Sequence, residues 1–212
     1  KRVTASQLTL RRSLSEYPTI QAVSRSMRAL GSRKSRALRH KNLLPSLIYG
    51  HLENNPHYKE LVSVNVKDIQ NELRIRGKSF ENTLYQITRE NMDPVLAIAR
   101  DTQFCGLTSK PLSVNFLIYK PGVRVSIPIS YVNHDRSADL KRGSFIFRVN
   151  RFIDCICDDL EIPESIEVDL SDATQNKVYR LDSLKFPPNV QPAKTVRPDF
   201  VAAVVKTPKG GQ

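Results

Sequence analysis

The chain has 212 residues and a formal net charge of +12, from 33 Lys and Arg against 21 Asp and Glu, a length that admits one large or two small domains. It contains no apolar run near the ~20 residues needed to span a membrane as a helix, and its cysteines and histidines lack metal-site spacing. These features exclude a helical membrane anchor and a zinc-ribbon type of protein. No cofactor, metal, membrane or small-molecule substrate is expected.

The charge is unevenly placed. Through Asn42 there are eleven basic residues and one acid, Glu16, whereas the remaining 170 residues carry 22 basic and 20 acidic side chains. Residues 1–27 read as a basic extension lying on a surface, because apolar positions are sparse and Tyr17-Pro18 interrupts any long helix. A cationic arm without a core of its own orders against a polyanion, and this makes Arg11, Arg12, Arg25 and Arg28 candidates for phosphate contact. The first 28 residues hold six Lys or Arg and five Ser with a single acid, a composition similar to that of an organellar transit segment.

From Ser26 to Lys41 helix formers dominate, with Gly31 a break between two short helices. Arg33, Arg36, Arg39 and His40 recur at three- and four-residue spacings and so share a helix face, flanked by Lys34 and Lys41 with no acid between. Such a face calls for an external anion. The pattern then changes from charge to core: Leu43–Tyr49 predicts a short buried strand closed by Gly50, and His51–Lys59 a polar loop. Leu61–Val66 alternates as a half-buried strand, and a short amphipathic helix carries Ile69 and Leu73. Arg74, Arg76 and Lys78 follow, placed equally well for the helix C-terminus and for RNA.

Further strands are predicted at 80–88, 95–99, 123–131 and 200–205, with a polar loop at 133–143, and 144–156 reads as apolar and aromatic. Tyr49 has a core role in this reading, ahead of stacking on a base; Phe104 is a second stacking candidate. Cys155 and Cys157 read as same-face strand residues, and Asp158, Asp159, Glu161 and Glu164 as a solvated acidic edge. No nucleophile elbow or phosphate-cradling glycine loop accompanies them. No active site is predicted.

Three stretches carry a resemblance. One is Leu38-Arg39 followed by Leu-Pro-Ser-Leu-Ile-Tyr-Gly at 44–50. Another is Arg100, Asp101 and Gln103, then Pro111 and Ser113-Val114-Asn115-Phe116. The third is Ile162-Pro163-Glu164-Ser165-Ile166-Glu167-Val168-Asp169-Leu170-Ser171. Together they resemble bacterial large-subunit ribosomal protein twenty-five, the 5S-rRNA binder, in its two-domain CTC or general stress protein form. Leu181-Asp182-x-Leu184 and Phe186-Pro187-x-Asn189-Val190 extend the likeness, with Asn189 in place of a turn glycine and able to keep a positive φ. The resemblance covers about residues 28–206.

It implies a mainly β, α+β fold: a basic extension at 1–27, a six-stranded-type RNA-binding β-barrel at 28–119, a β-rich CTC-like domain at 120–206 and a tail at 207–212. It implies a non-enzymatic constituent of the large ribosomal subunit, with rRNA and neighbouring ribosomal proteins as partners. The RNA-facing residues would be Arg33, Lys34, Arg36, Arg39, His40, Lys41, Tyr49, Arg100, Asp101, Gln103, Ser113 and Asn115. Where the family has His and a second Asp this chain has Ser113 and Asn115, which hydrogen-bond without charge. With the transit-like composition, a mitochondrial ribosome is the expected setting, ahead of a plastid or the bacterial cytoplasm. The alternatives are an RNA-binding module akin to the anticodon-binding barrels of glutaminyl-tRNA synthetase, or a free ribosome-associated stress factor.

Overall fold

A computed structural model describes residues 17–52, 55–90 and 92–207. Arg11 and Arg12 lie outside the described residues. The chain divides into two compact units, one ending at Asn71 and resuming at Leu84–Tyr119, the other formed by Glu72–Thr83 and Lys120–Gln212.

The first unit is a closed six-stranded barrel. Its strands are β1 (Thr19–Ser24), β2 (Leu43–Leu52), β3 (Asn55–Asn65), β4 (Leu84–Arg89), β5 (Met92–Phe104) and β6 (Pro111–Ile118), in the order β1-β3-β2-β6-β5-β4. β1 closes the ring by pairing antiparallel with β3 and parallel with β4, Ile20 facing Ile87 across the latter. The barrel therefore starts at residue 19, not at 28, and part of the expected surface arm is a core strand with Ile20 and Ala22 buried. Two apolar side chains at alternate positions were sufficient for a strand despite the polar neighbours.

Alternation also builds β2, where Leu44, Ser46 and Ile48 point inward, and β6, where Val114, Phe116 and Ile118 do. Gly50 is required where β2 bends against β6: its φ is 143°, and a Cβ there would stand 2.9 Å from the Ile118 Cβ. The expected polar loop at 51–59 is largely the start of the long strand β3, which pairs with β2 as far as Asn55 opposite Leu52. Helix α1 (Ser32–His40) follows Gly31, whose φ of 112° breaks the chain after a single 3-10 turn at Met27–Ala29. Asn42, left-handed at φ 57°, ends the helix, and its carbonyl accepts from Val66 N at 3.0 Å, the first residue of α2 (Val66–Arg76).

The second unit holds a five-stranded sheet, β12-β10-β7-β9-β13, and a three-stranded sheet, β11-β14-β8. The strands are β7 (Arg124–Val132), β8 (Phe145–Arg148), β9 (Phe152–Cys157), β10 (Ile166–Asp169), β11 (Val178–Arg180), β12 (Leu184–Lys185), β13 (Val190–Pro192) and β14 (Val201–Lys206), with a short α3 (Ala138–Lys141). Residues 72–83 belong with this unit and not with a continuous 28–119 domain. Residues 77–82 form a 3-10 segment that takes in the first three residues of the strand expected at 80–88. Its Asn82 Nδ2 donates to the carbonyls of Pro163 and Glu164 at 2.6 and 3.2 Å, and Ser79 Oγ donates to Glu164 at 3.1 Å.

The 162–171 phrase is thus explained by structure. Its first part offers the carbonyls that Asn82 and Ser79 take up. Its Asp169 carboxylate accepts from Ser171 N (3.0 Å), Ser171 Oγ (2.6 Å) and Asn133 Nδ2 (2.9 Å). The Ser171 and Asn133 bonds, with a smaller contribution from Lys185, hold this carboxyl well below the ordinary range. Ile153, Cys155 and Cys157 share the buried face of β9, and burial raises the Cys155 thiol to about 12 and Cys157 to about 11. Asn189 does not take a positive φ; Val190 N closes the turn on Pro187 O at 3.1 Å without one.

Candidate nucleic-acid interface

α1 buries none of its side chains. Its apolar residues are Ala37 and Leu38, of which only Leu38 is half-buried, so the helix gains little from a core and its role comes from its surface. Arg33, Arg36, His40 and Lys41 are exposed, and their side chains have no hydrogen-bond or ion-pair partner among the described residues. Lys34 is tied to the Arg28 carbonyl. Arg39 is half-buried and donates through Nε to the Leu112 carbonyl at 2.9 Å, anchoring the helix to the start of β6. It is a positioning residue here more than a free cation. The helix has Arg39 and His40 in its last turn, where cations complement the dipole.

Leu112 leads directly into the second group. Ser113 faces Gln103 across β6 and β5 and donates to its Oε1 at 3.1 Å; Asn115 faces Arg100. Between Arg100 and Gln103 the ladder shifts register, and Asp101 takes a positive φ of 54°, so the bulge turns this exposed carboxylate out of the barrel wall. On the other side Asn115 neighbours Leu47 of β2, and Tyr49 lies two residues further on. The Tyr49 hydroxyl reaches to 3.5 Å from Asp101 Oδ2. Burial and the Asp101 charge raise the phenol above its ordinary value, against the opposing influence of Arg100, so it stays a donor at neutral pH.

Tyr49 is therefore not a core residue. The inward positions of β2 are Leu44, Ser46 and Ile48, and the strict period of two places Tyr49 on the outer face. Phe104 is 49% exposed at the end of β5. The fold thus brings α1, Ser113, Gln103, Asn115, Arg100, Asp101 and Tyr49 into one run across adjacent elements.

Arg25 is not part of that run. Its Nε donates to the Val62 carbonyl at 2.9 Å and its guanidinium reaches the Ser46 carbonyl at 3.4 Å, which makes it a stitch between the end of β1 and strands β3 and β2. Its side chain is spent on the barrel. Arg28 is exposed beside the 3-10 turn. Among the described residues no group of three or more His, Cys, Asp and Glu could hold a metal ion, and no helix is long and apolar enough to cross a membrane.

The exposed aromatic residues of β8, Phe145 and Phe147, escaped the sequence reading. Their apolar, aromatic context reads as core until the partner strands are known.

Comparison with known proteins divides the chain near residue 120, the first match running straight through residues 72–83. Residues 20–116 match the Ribosomal L25p family, starting inside β1, and residues 122–209 match the family described as ribosomal protein TL5, C-terminal domain. The large ribosomal subunit protein bL25 of Bartonella tribocorum is 30% identical over 92% of this chain and 90% of its own length. Its counterpart in Pelagibacter ubique is 30% identical over 82% of this chain and 73% of its own, and that of Gluconobacter oxydans 29% identical over 90% and 85%. On that identity, held across both units, this chain belongs to the bL25 family of large ribosomal subunit proteins, a family of structural ribosomal proteins and not of enzymes.

Proposed function

We propose that the chain binds ribosomal RNA in the large subunit through α1 and the adjoining β5–β6 edge, at 5S-type rRNA or the rRNA that occupies its place. One observation carries this reading: a nine-residue helix with no buried side chain and no acid, held at its far end by Arg39 while Arg33 and Arg36 point outward. Nothing among the described residues pairs with the Arg33 and Arg36 side chains, and a phosphate backbone would. Each phosphate neutralised adds roughly 0.7–0.9 to the salt dependence of affinity. Ser113, Gln103 and Asn115 supply uncharged donors and acceptors beside the cations, suited to sugar and base edges. Neighbouring large-subunit proteins are further partners in this reading.

The test is ultraviolet crosslinking in native ribosomes with sequencing of the attached RNA, comparing wild type with Arg33→Glu plus Arg36→Glu. These two are chosen over Arg39, whose loss would also loosen the helix. Crosslinks at one large-subunit rRNA site that vanish in the double variant support the proposal; crosslinks to tRNA, or unchanged crosslinks, sink it. Sub-stoichiometric recovery in washed ribosomes would point to a free stress factor.

For the setting we favour the mitochondrial ribosome, on the Arg- and Ser-rich, acid-poor composition of the first 28 residues. The relatives compared above are bacterial. Fractionation decides: co-sedimentation with the mitochondrial large subunit supports that setting, and recovery with cytoplasmic or plastid ribosomes overturns it.

A further inference from the structure

The three-stranded sheet of the second unit leaves one face apolar, aromatic and free of acids. Phe145, Phe147 and Val149 occupy alternate positions and are 46%, 49% and 48% exposed. Directly opposed residues of an antiparallel pair share a face, so Val204 of β14 and Val178 of β11 lie in one row with Phe147, and Lys206 lies opposite Phe145. The other face is the core side, with Tyr179, Ala203 and Val205 buried. The three strands carry Arg180 and Lys206 and no carboxylate; their third cation, Arg148, stands opposite Ala203 on the other face, over the Tyr131 ring. Lys206 Nζ stands 4.8 Å from the centroid of the Phe147 ring.

We infer that this face is a stacking platform for single-stranded RNA, with Phe145 and Phe147 each taking a base and Lys206 and Arg180 following the backbone. Two residues apart on one strand, the rings are spaced by about 7 Å. Flat aromatic side chains on a sheet accept any base, since every base presents a π-face. The charge on this face argues for this occupant over a protein: Lys206 and Arg180, with no acid on the three strands, complement a polyanion, whereas an apolar protein contact has no need of that imbalance. This site is independent of α1, lies in the other unit, and adds a second RNA contact to the chain.

The chain has no tryptophan, so Phe147→Trp installs a single fluorescent reporter at an exposed position; Phe145→Trp is the alternative should the first variant fold poorly. The full chain is titrated with a ten-nucleotide oligouridylate and with duplex RNA of equal length. Saturable quenching by the single strand is expected, weaker with the duplex and with added salt. Replacing the other ring by leucine, which keeps apolar area but removes the π-face, should weaken it about tenfold. Arg33→Glu plus Arg36→Glu should leave the quenching unchanged, which separates this site from the α1 interface. No quenching at concentrations where anisotropy shows RNA bound elsewhere on the chain overturns the platform. So does a leucine variant that quenches like the parent, or concentration-dependent burial of the indole with dimer formation in sedimentation.

Discussion

β1 and α1 lie within the same acid-poor stretch of chain, eight residues apart, and the fold uses them in opposite ways. β1 sends Ile20 and Ala22 into the barrel, and the Arg25 that follows it donates to the carbonyls of Val62 and Ser46. α1 buries nothing and leaves Arg33 and Arg36 in solvent. The difference teaches that net charge does not assign a role. A cation next to two alternating apolar residues is drawn onto backbone carbonyls, because the strand beside it must dock; Arg33 and Arg36, on the solvent side of α1, have no such neighbour, unlike Arg39, which donates to the Leu112 carbonyl.

The sharpest way to break this comparison is Ile20→Ala. Deleting a fully buried side chain from the closing strand should cost about 2–5 kcal/mol, read by denaturant unfolding of the full chain. A loss below about 0.5 kcal/mol would mean β1 is a surface arm after all. Arg25→Ala should come next, at about 1–2 kcal/mol for donors lost from part-buried carbonyls. Arg33→Glu plus Arg36→Glu should change stability by no more than about 0.5 kcal/mol, while lowering the salt dependence of RNA affinity by about 1.4–1.8. If Arg25→Ala instead weakened RNA binding and spared stability, the two regions would exchange roles.

The smallest effect is a pH dependence found at β1 and not at α1. Glu60 of β3 accepts from Ser24 of β1 at 2.5 Å, from Tyr58 at 2.5 Å and from Arg89 at 2.6 Å. Burial alone would raise its pKa, but these bonds outweigh it and hold the carboxyl below the ordinary value. A depressed folded pKa contributes stability above the unfolded value, near 4.3, that is lost as pH falls through the folded one. Acid titration of unfolding should show this loss in the wild type and less of it in Ser24→Ala; identical acid limbs would refute the coupling. α1, which has no carboxylate, should contribute nothing to that limb.

Much of the fold was legible. The buried strand at 43–49, the alternation at 61–66, the end of α1 at Asn42 and the same-face pair Cys155 and Cys157 follow from local periodicity and turn chemistry, which neighbouring residues settle among themselves. The candidate interface was legible as a set of residue types, but not as roles: Arg39 and Arg25 looked like Arg36. Their acceptors, at Leu112 and Val62, lie 73 and 37 residues away along the chain, and no window of sequence contains both ends of such a bond.

By itself the sequence determined where charge gives way to core, which segments alternate, the absence of any catalytic motif, and a family likeness carried by the phrase at 162–171. Only the tertiary structure decided that β1 closes the barrel by pairing with β4, that residues 72–83 belong with the second unit, and that Tyr49, Phe145 and Phe147 face outward. The first and the last have one physical reason. A strand's period of two says that its faces differ, and only its partners in space say which face is covered.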